Sequence, residues 1–172
     1  MINFGFQSGG GGGSTPVVLP YGSYFNRLDQ NCALANRPQA MELNSSFFEQ
    51  FVSIQNDLSG NPTQITVAET GIYNIQFSAQ IRKSAGGGTQ DIDIWLSKNN
   101  VDEPFSATKL TLANNGHYVV GAWNWFVQLN AGEFAEIIWS VTDLSVYLEA
   151  DSTHVPAIPS LITTICRVDG NS

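Results

Sequence analysis

Positive charge is scarce in this chain. Of 172 residues only seven are Lys or Arg, against fifteen Asp or Glu, for a formal net charge of −8. A nucleic-acid backbone or an anionic membrane surface rewards clustered cations, and these seven are spread along the sequence, so neither is expected as a partner. Cysteine is scarcer still. Cys32 and Cys166 stand alone at no metal-motif spacing; one bridge could join them, but the preferred reading is a reducing assembly compartment with both thiols buried as small apolar groups. Long apolar runs are missing, so no stretch has the length to cross a bilayer. The opening MINFGFQSGG has neither the basic flank nor the apolar centre of a secretion signal. Synthesis in a cytoplasm is therefore expected, with release by lysis or as part of a particle.

Catalytic signatures are lacking too. There is no Gly-x-Ser-x-Gly elbow, phosphate loop or His-Glu-x-x-His helix, and the two histidines, His117 and His154, fall at a strand edge and in a loop. No enzyme is expected. Asp91 and Asp93 on one strand, Asp102 with Glu103, and Glu149 with Asp151 could each face a hard cation, but none has the spacing of a dedicated calcium loop. Solvated acidic surface is the preferred reading, so no cofactor is expected and calcium is the one that stays open.

What the chain does have is two-residue periodicity. Tyr73, Ile75, Phe77, Ala79 and Ile81 alternate with polar residues between Gly71 and the run Gly86-Gly87-Gly88, the pattern of a strand with one dry face. Ile92, Ile94 and Leu96 repeat it until Lys98-Asn99-Asn100, a group of turn formers. These two strands, joined by the glycine turn, form the anchor of the fold. Asn114-Asn115-Gly116 predicts another tight hairpin. His117 to Leu129, HYVVGAWNWFVQL, is apolar on both alternating faces and predicts a central strand covered on each side. About eight to ten strands are expected, and no long amphipathic helix.

This describes an all-β, antiparallel β-sandwich, either jelly roll or immunoglobulin-like. The division expected is a glycine-rich leader over residues 1–20 and a single domain over 21–172. The leader combines Ile2, Phe4 and Phe6 with five consecutive glycines, Gly9 to Gly13. It reads either as a disordered tail or as a peptide that docks through those three side chains while the glycines tether it. Trp95, Trp123, Trp125 and Phe126 exceed what one sandwich interior needs, and such surplus marks an interface, usually closed by symmetry.

The run Gly71-Ile72-Tyr73-Asn74-Ile75 resembles the Gly-x-Tyr-x-aromatic strand of the tumour necrosis factor and complement globular-head jelly roll, with Ile75 at the aromatic position and Phe77 two places on. The blocks ETGIYNIQFSAQI, DIDIWLSKNN, VVGAWNWFVQLNAGEFAEIIWS and HVPAIPSLITTICRV are similar to those of bacteriophage virion structural proteins with this jelly roll, over roughly residues 21 to 168. That resemblance implies a homotrimer whose aromatic faces meet on a threefold axis, with Tyr73, Trp95, Trp123, Trp125, Phe126 and Trp139 as the interface set. It implies a virion location, as a head fibre, capsid decoration or tail-associated appendage anchored to capsid or tail proteins through the leader. The alternative is a receptor- or glycan-binding knob for host attachment. In either case the loops 84–90, 101–107 and 144–154 are expected to face the medium from the knob's far end.

Overall fold

The computed structural model describes residues 18–169. The first strands are β1 (Tyr21–Asn26), β2 (Gln30–Asn31), β3 (Gln39–Ala40), β4 (Ser45–Gln50), β5 (Val52–Asn56), β6 (Pro62–Val67) and β7 (Gly71–Lys83). There follow β8 (Gln90–Lys98), β9 (Val101–Asp102), β10 (Thr108–Leu112), β11 (His117–Leu129), β12 (Phe134–Val141), β13 (Val146–Leu148) and β14 (Leu161–Arg167). They form two antiparallel sheets packed face to face. The first runs β11-β7-β14-β1-β4, with β13 and β2 continuing beside β7 past the end of β14. The second runs β10-β8-β12-β6-β5, with β3 on β12 and β9 on β8. The result is an all-β jelly roll.

Its core is the set of dry faces visible in the sequence. Tyr73, Ile75, Phe77, Ala79 and Ile81 of β7 point inward, as do Ile92, Ile94 and Leu96 of β8 and Ala135, Ile137, Trp139 and Val141 of β12. Their burial supplies the driving force, at roughly 1.5–3 kcal/mol for each large side chain.

The two halves of the anchor do not pair with each other. β7 lies in the first sheet and β8 in the second, and residues 84–89 carry the chain across the sandwich. Likewise, residues 113–116 connect β10 to β11 between sheets rather than closing a hairpin. The glycines there do adopt the left-handed backbone that the turns require, with φ of 80° at Gly86, 71° at Gly88 and 71° at Gly116. Turn chemistry dictates that the chain reverses. Whether the two strands then share a sheet is decided by their distant partners. At Asn99 and Asn100, with φ of 48° and 64°, the same chemistry does close a two-residue hairpin, because Lys98 pairs directly with Val101.

Gly71 explains why the Gly-x-Tyr run opens as it does. A Cβ there would sit 2.4 Å from Nε of Arg167. That guanidinium crosses the strand to reach Asp169 at 2.9 Å and Glu69 at 3.1 Å. Any side chain at this position would push the guanidinium and the Asp169 carboxylate aside, and glycine leaves them room.

The strand directions define two ends. Tyr21, Gly71, Lys98, Leu129, Phe134 and Arg167 gather at the near end, where the described chain starts; Asn26, Lys83, Gln90, His117 and Val141 gather at the far end. Loops 84–89 and 142–145 share the far end, joined by a hydrogen bond of 2.9 Å from the Ser84 amide to the Ser145 carbonyl. Loop 103–107 lies towards the near end. The three loops expected to face the medium together are therefore split, since β8 and β9 turn back at the end from which β7 started.

At the near end the carboxylate of Glu133 accepts hydrogen bonds from the Asn130 amide at 2.8 Å and the Lys98 ammonium at 2.9 Å. The backbone donor and then Lys98 lower its pKa from 4.5 to about 2. A depressed carboxyl stabilises the fold above its unfolded value and loses that contribution as pH falls from 4.5 towards 2. Glu133→Gln should therefore flatten the acid side of the melting-temperature profile between about pH 5 and 2. Parallel profiles for the two proteins would remove Glu133 from the acid response.

Candidate interaction surface

The alternation of β11 sorts its side chains into two rows. Val119, Gly121, Trp123, Trp125, Val127 and Leu129 turn towards the core, while Tyr118, Val120, Ala122, Asn124, Phe126 and Gln128 stand on the outer face. β11 pairs only with β7 among the described residues and is an edge strand of thirteen residues, not a covered central one. Its apolar outer row is open, with Tyr118 54%, Val120 53% and Phe126 65% exposed.

The six residues expected at a trimer interface are not brought together. Tyr73 and Trp139 are fully buried between the sheets and have no surface to offer a second copy. The Tyr73 hydroxyl donates to the Glu69 carbonyl at 2.7 Å, and burial pushes its pKa up to about 12. Trp95 is partly buried on the outer side of the opposite sheet, where its indole N–H donates to Asp102 at 2.7 Å. Trp123 and Trp125 close the open edge of the sandwich. Phe77 stacks on Trp125 at 5.1 Å between ring centroids and meets Trp123 edge-on at 4.6 Å. The Trp125 N–H donates to the Ser106 carbonyl at 2.9 Å, which ties β11 to the loop of the second sheet. Phe126 is the one member of the set standing free on the first sheet's outer face.

Behind β11 that face is mostly polar. Asn74, Gln76, Ser78 and Gln80 of β7 lie beside Thr164 and Ile162 of β14, and Asn124 donates to Asn74 at 2.9 Å. Towards the far end Arg82 lies 4.9 Å from the Tyr118 ring centroid and pairs with Glu149, which also accepts from Tyr147 at 3.1 Å. Burial opposes ionisation of Glu149, but hydrogen bonds from Tyr118, Arg82 and Tyr147 outweigh it and hold the carboxyl below its ordinary value. The leader residues Ile2, Phe4 and Phe6 lie outside the described residues.

Two aromatic pairs on β1 and β4 escape a reading of the sequence. Phe25 stacks on Phe47 at 4.2 Å, and Tyr21 meets Phe48 edge-on at 5.9 Å. Adjacent Phe47 and Phe48 would normally point to opposite faces. Here Ser23 pairs with Phe48 and Tyr24 with Ser46, so Phe47 is the extra residue of a bulge. Consecutive aromatics that break the alternation are the available signal.

The thiols are free, Cys32 buried and Cys166 exposed on the outer face, so the expectation that both are buried holds for the first alone. Burial pushes the Cys32 thiol up to about 11, only partly offset by the Val141 backbone. Of the carboxylates weighed as cation ligands, Asp91 is engaged by Thr111 and Lys109, Asp102 by Trp95, Glu149 by Arg82 and Tyr147, and Asp151 by Thr153. No three His, Cys, Asp or Glu side chains converge as a metal site among the described residues.

No protein-family model matches the chain, and no curated protein matches it. Among solved structures, the fold is similar to the crystal structure of murine APRIL at pH 5.0. The TM-score is 0.52 and the sequence identity 7%, with 88% of this chain and all of that chain covered. That neighbour is a tumour necrosis factor-family jelly roll, and at this identity the likeness is one of fold: the chain is a tumour necrosis factor-like antiparallel sandwich.

Proposed function

We propose that this chain is a non-enzymatic structural protein of a bacteriophage particle, a homotrimeric knob serving as head fibre, capsid decoration or tail-associated appendage. The observation that carries the assembly is the β11 edge. A long strand edge without a ladder partner among the described residues, and with no Lys or Pro along it, is a surface that proteins normally cover. Its exposed Tyr118, Val120 and Phe126 add apolar area to the unmet backbone groups. An edge laid against the outer sheet face of a neighbour makes a head-to-tail contact, because the two patches differ. Where the rotation between copies closes, such contacts form rings, of which the trimer is the smallest. The tumour necrosis factor-like fold and the resemblance of four sequence blocks to phage virion proteins support the same number and the particle location.

A knob that starts from one end and displays loops 84–89 and 142–145 at the other suits attachment through its leader. Deleting residues 1–15 should leave the trimer intact in sedimentation and abolish its recovery with purified particles. Unchanged incorporation would assign anchoring to the knob itself.

A further inference from the structure

At the far end, β1 leaves the first sheet beneath loop 152–159. Between them lies a cavity of about 430 Å³, lined by Phe25, Phe47 and the run Pro156-Ala157-Ile158-Pro159. It has two polar side chains, Arg27 and Ser152. The rings of Phe25 and Phe47 form one wall, stacked within 27° of parallel. The Arg27 guanidinium carbon lies 5.1 Å from the centroid of Phe25.

Two features make this a built site. First, the loop is clamped. Asp151 and Ile158 exchange backbone hydrogen bonds of 2.8 and 2.9 Å, and the Ser160 amide donates to the Asn26 carbonyl at 3.0 Å. Pro156 and Pro159 further restrict the backbone, so little order has to be created on binding. Second, no Asp or Glu pairs with Arg27 among the described residues. The nearby carboxylates are turned to other work. Asp29 accepts the Ala150 amide at 2.7 Å, and Asp151 accepts the Thr153 and His154 amides. In a chain of net charge −8, a guanidinium left over beside an apolar wall is an unmatched cation.

We infer that this cavity binds an apolar anion: an aromatic ring system that rests on Phe25 and Phe47 and places one carboxylate or sulfonate against Arg27. A guanidinium recognises such a group by charge-assisted hydrogen bonds in a forked geometry. The lining argues against a sugar, whose many hydroxyls would find few partners here. It argues equally against this chain's own leader, since residues 1–17 contain no acidic side chain to answer Arg27. The inference goes beyond the assembly reading and does not depend on it.

The test titrates the full-length protein with 8-anilinonaphthalene-1-sulfonate and, separately, with its uncharged relative N-phenyl-1-naphthylamine, reading fluorescence. Saturable binding at one site per chain is expected, with the anion preferred. Arg27→Gln should weaken the sulfonate about tenfold, the scale of one charged hydrogen bond, and leave the neutral dye unchanged. Arg27→Lys should restore part of the preference, and Phe47→Ala, on a well-exposed ring, should weaken both dyes. No saturable binding, equal affinity for the two dyes, or an Arg27→Gln protein that binds the sulfonate as the parent does would each overturn the inference. Sedimentation of the same samples reads the assembly separately, so a monomer that binds the anion refutes the trimer and leaves this site standing.

Discussion

Phe126→Asp should convert the sedimenting species from trimer to monomer without unfolding it. The ring is 65% exposed in the single chain. Covering that remainder in an assembly is worth about 2–3 kcal/mol per copy, taking ~25 cal/mol per Å² over most of an aromatic side chain. Each of the three copies contributes one such ring, so the loss is counted three times in the trimer. The introduced carboxylate adds a desolvation penalty at each contact. Its own chain should feel little, since an exposed position on an outer sheet face usually changes stability by less than about 0.5 kcal/mol. Far-ultraviolet circular dichroism and the melting temperature of the dissociated protein should therefore stay near those of the parent at matched low concentration. Val120→Asp, on the same outer row of β11, should act in the same direction. If the double variant still sediments as a trimer at micromolar concentration, the β11 face is not where the copies meet. If the parent is itself monomeric at that concentration, the proposed assembly fails outright.

Much of the layer structure is legible because it is written locally. β7 and β8 each bury one face, and a strict two-residue period reports that without reference to any partner. The turn at Asn99-Asn100 is legible for the same reason, since both residues tolerate positive φ, but the short strand Val101–Asp102 that it pairs back onto β8 reads as loop. What is not legible depends on residues distant in sequence. Nothing inside residues 84–89 says that the chain is changing sheets, because the alternative pairing would bury the same side chains. The β11 sequence reads as covered on both sides, since hydropathy counts Tyr118, Val120 and Phe126 as interior; only an outer face left uncovered by the other described residues reveals them as surface. The Phe25–Phe47 cavity lies furthest from reach. Its wall comes from a bulge in β4, its charge from Arg27 and its other side from residues 152–159, and no local pattern joins them.

The tryptophans give the sharpest separation of core from surface, and Trp139 the largest expected effect on the fold. The resemblance places it at the interface with the others, yet it is completely enclosed between the two sheets. Trp139→Ala removes the largest fully buried side chain in the sandwich. A truncation of that size costs about 3–5 kcal/mol, much of the roughly 5–15 kcal/mol by which a domain is stable. The melting temperature should fall by about 10 °C or more, and it should do so at any protein concentration. Trp139→Phe should cost far less, on the order of 1 kcal/mol, because the same change deletes an indole N–H that is buried without an acceptor among the described residues. Trp95→Ala, on a side chain that keeps part of its surface in water, should lose its bond to Asp102 and only about 1–2 kcal/mol. Burial and hydrogen bonding alone therefore rank the three changes, with Trp139→Ala the most destabilising, Trp95→Ala next and Trp139→Phe the mildest. A Trp139→Ala protein that melts like the parent as a monomer, and differs only in assembly, would return Trp139 to the interface and contradict the packing of the two sheets.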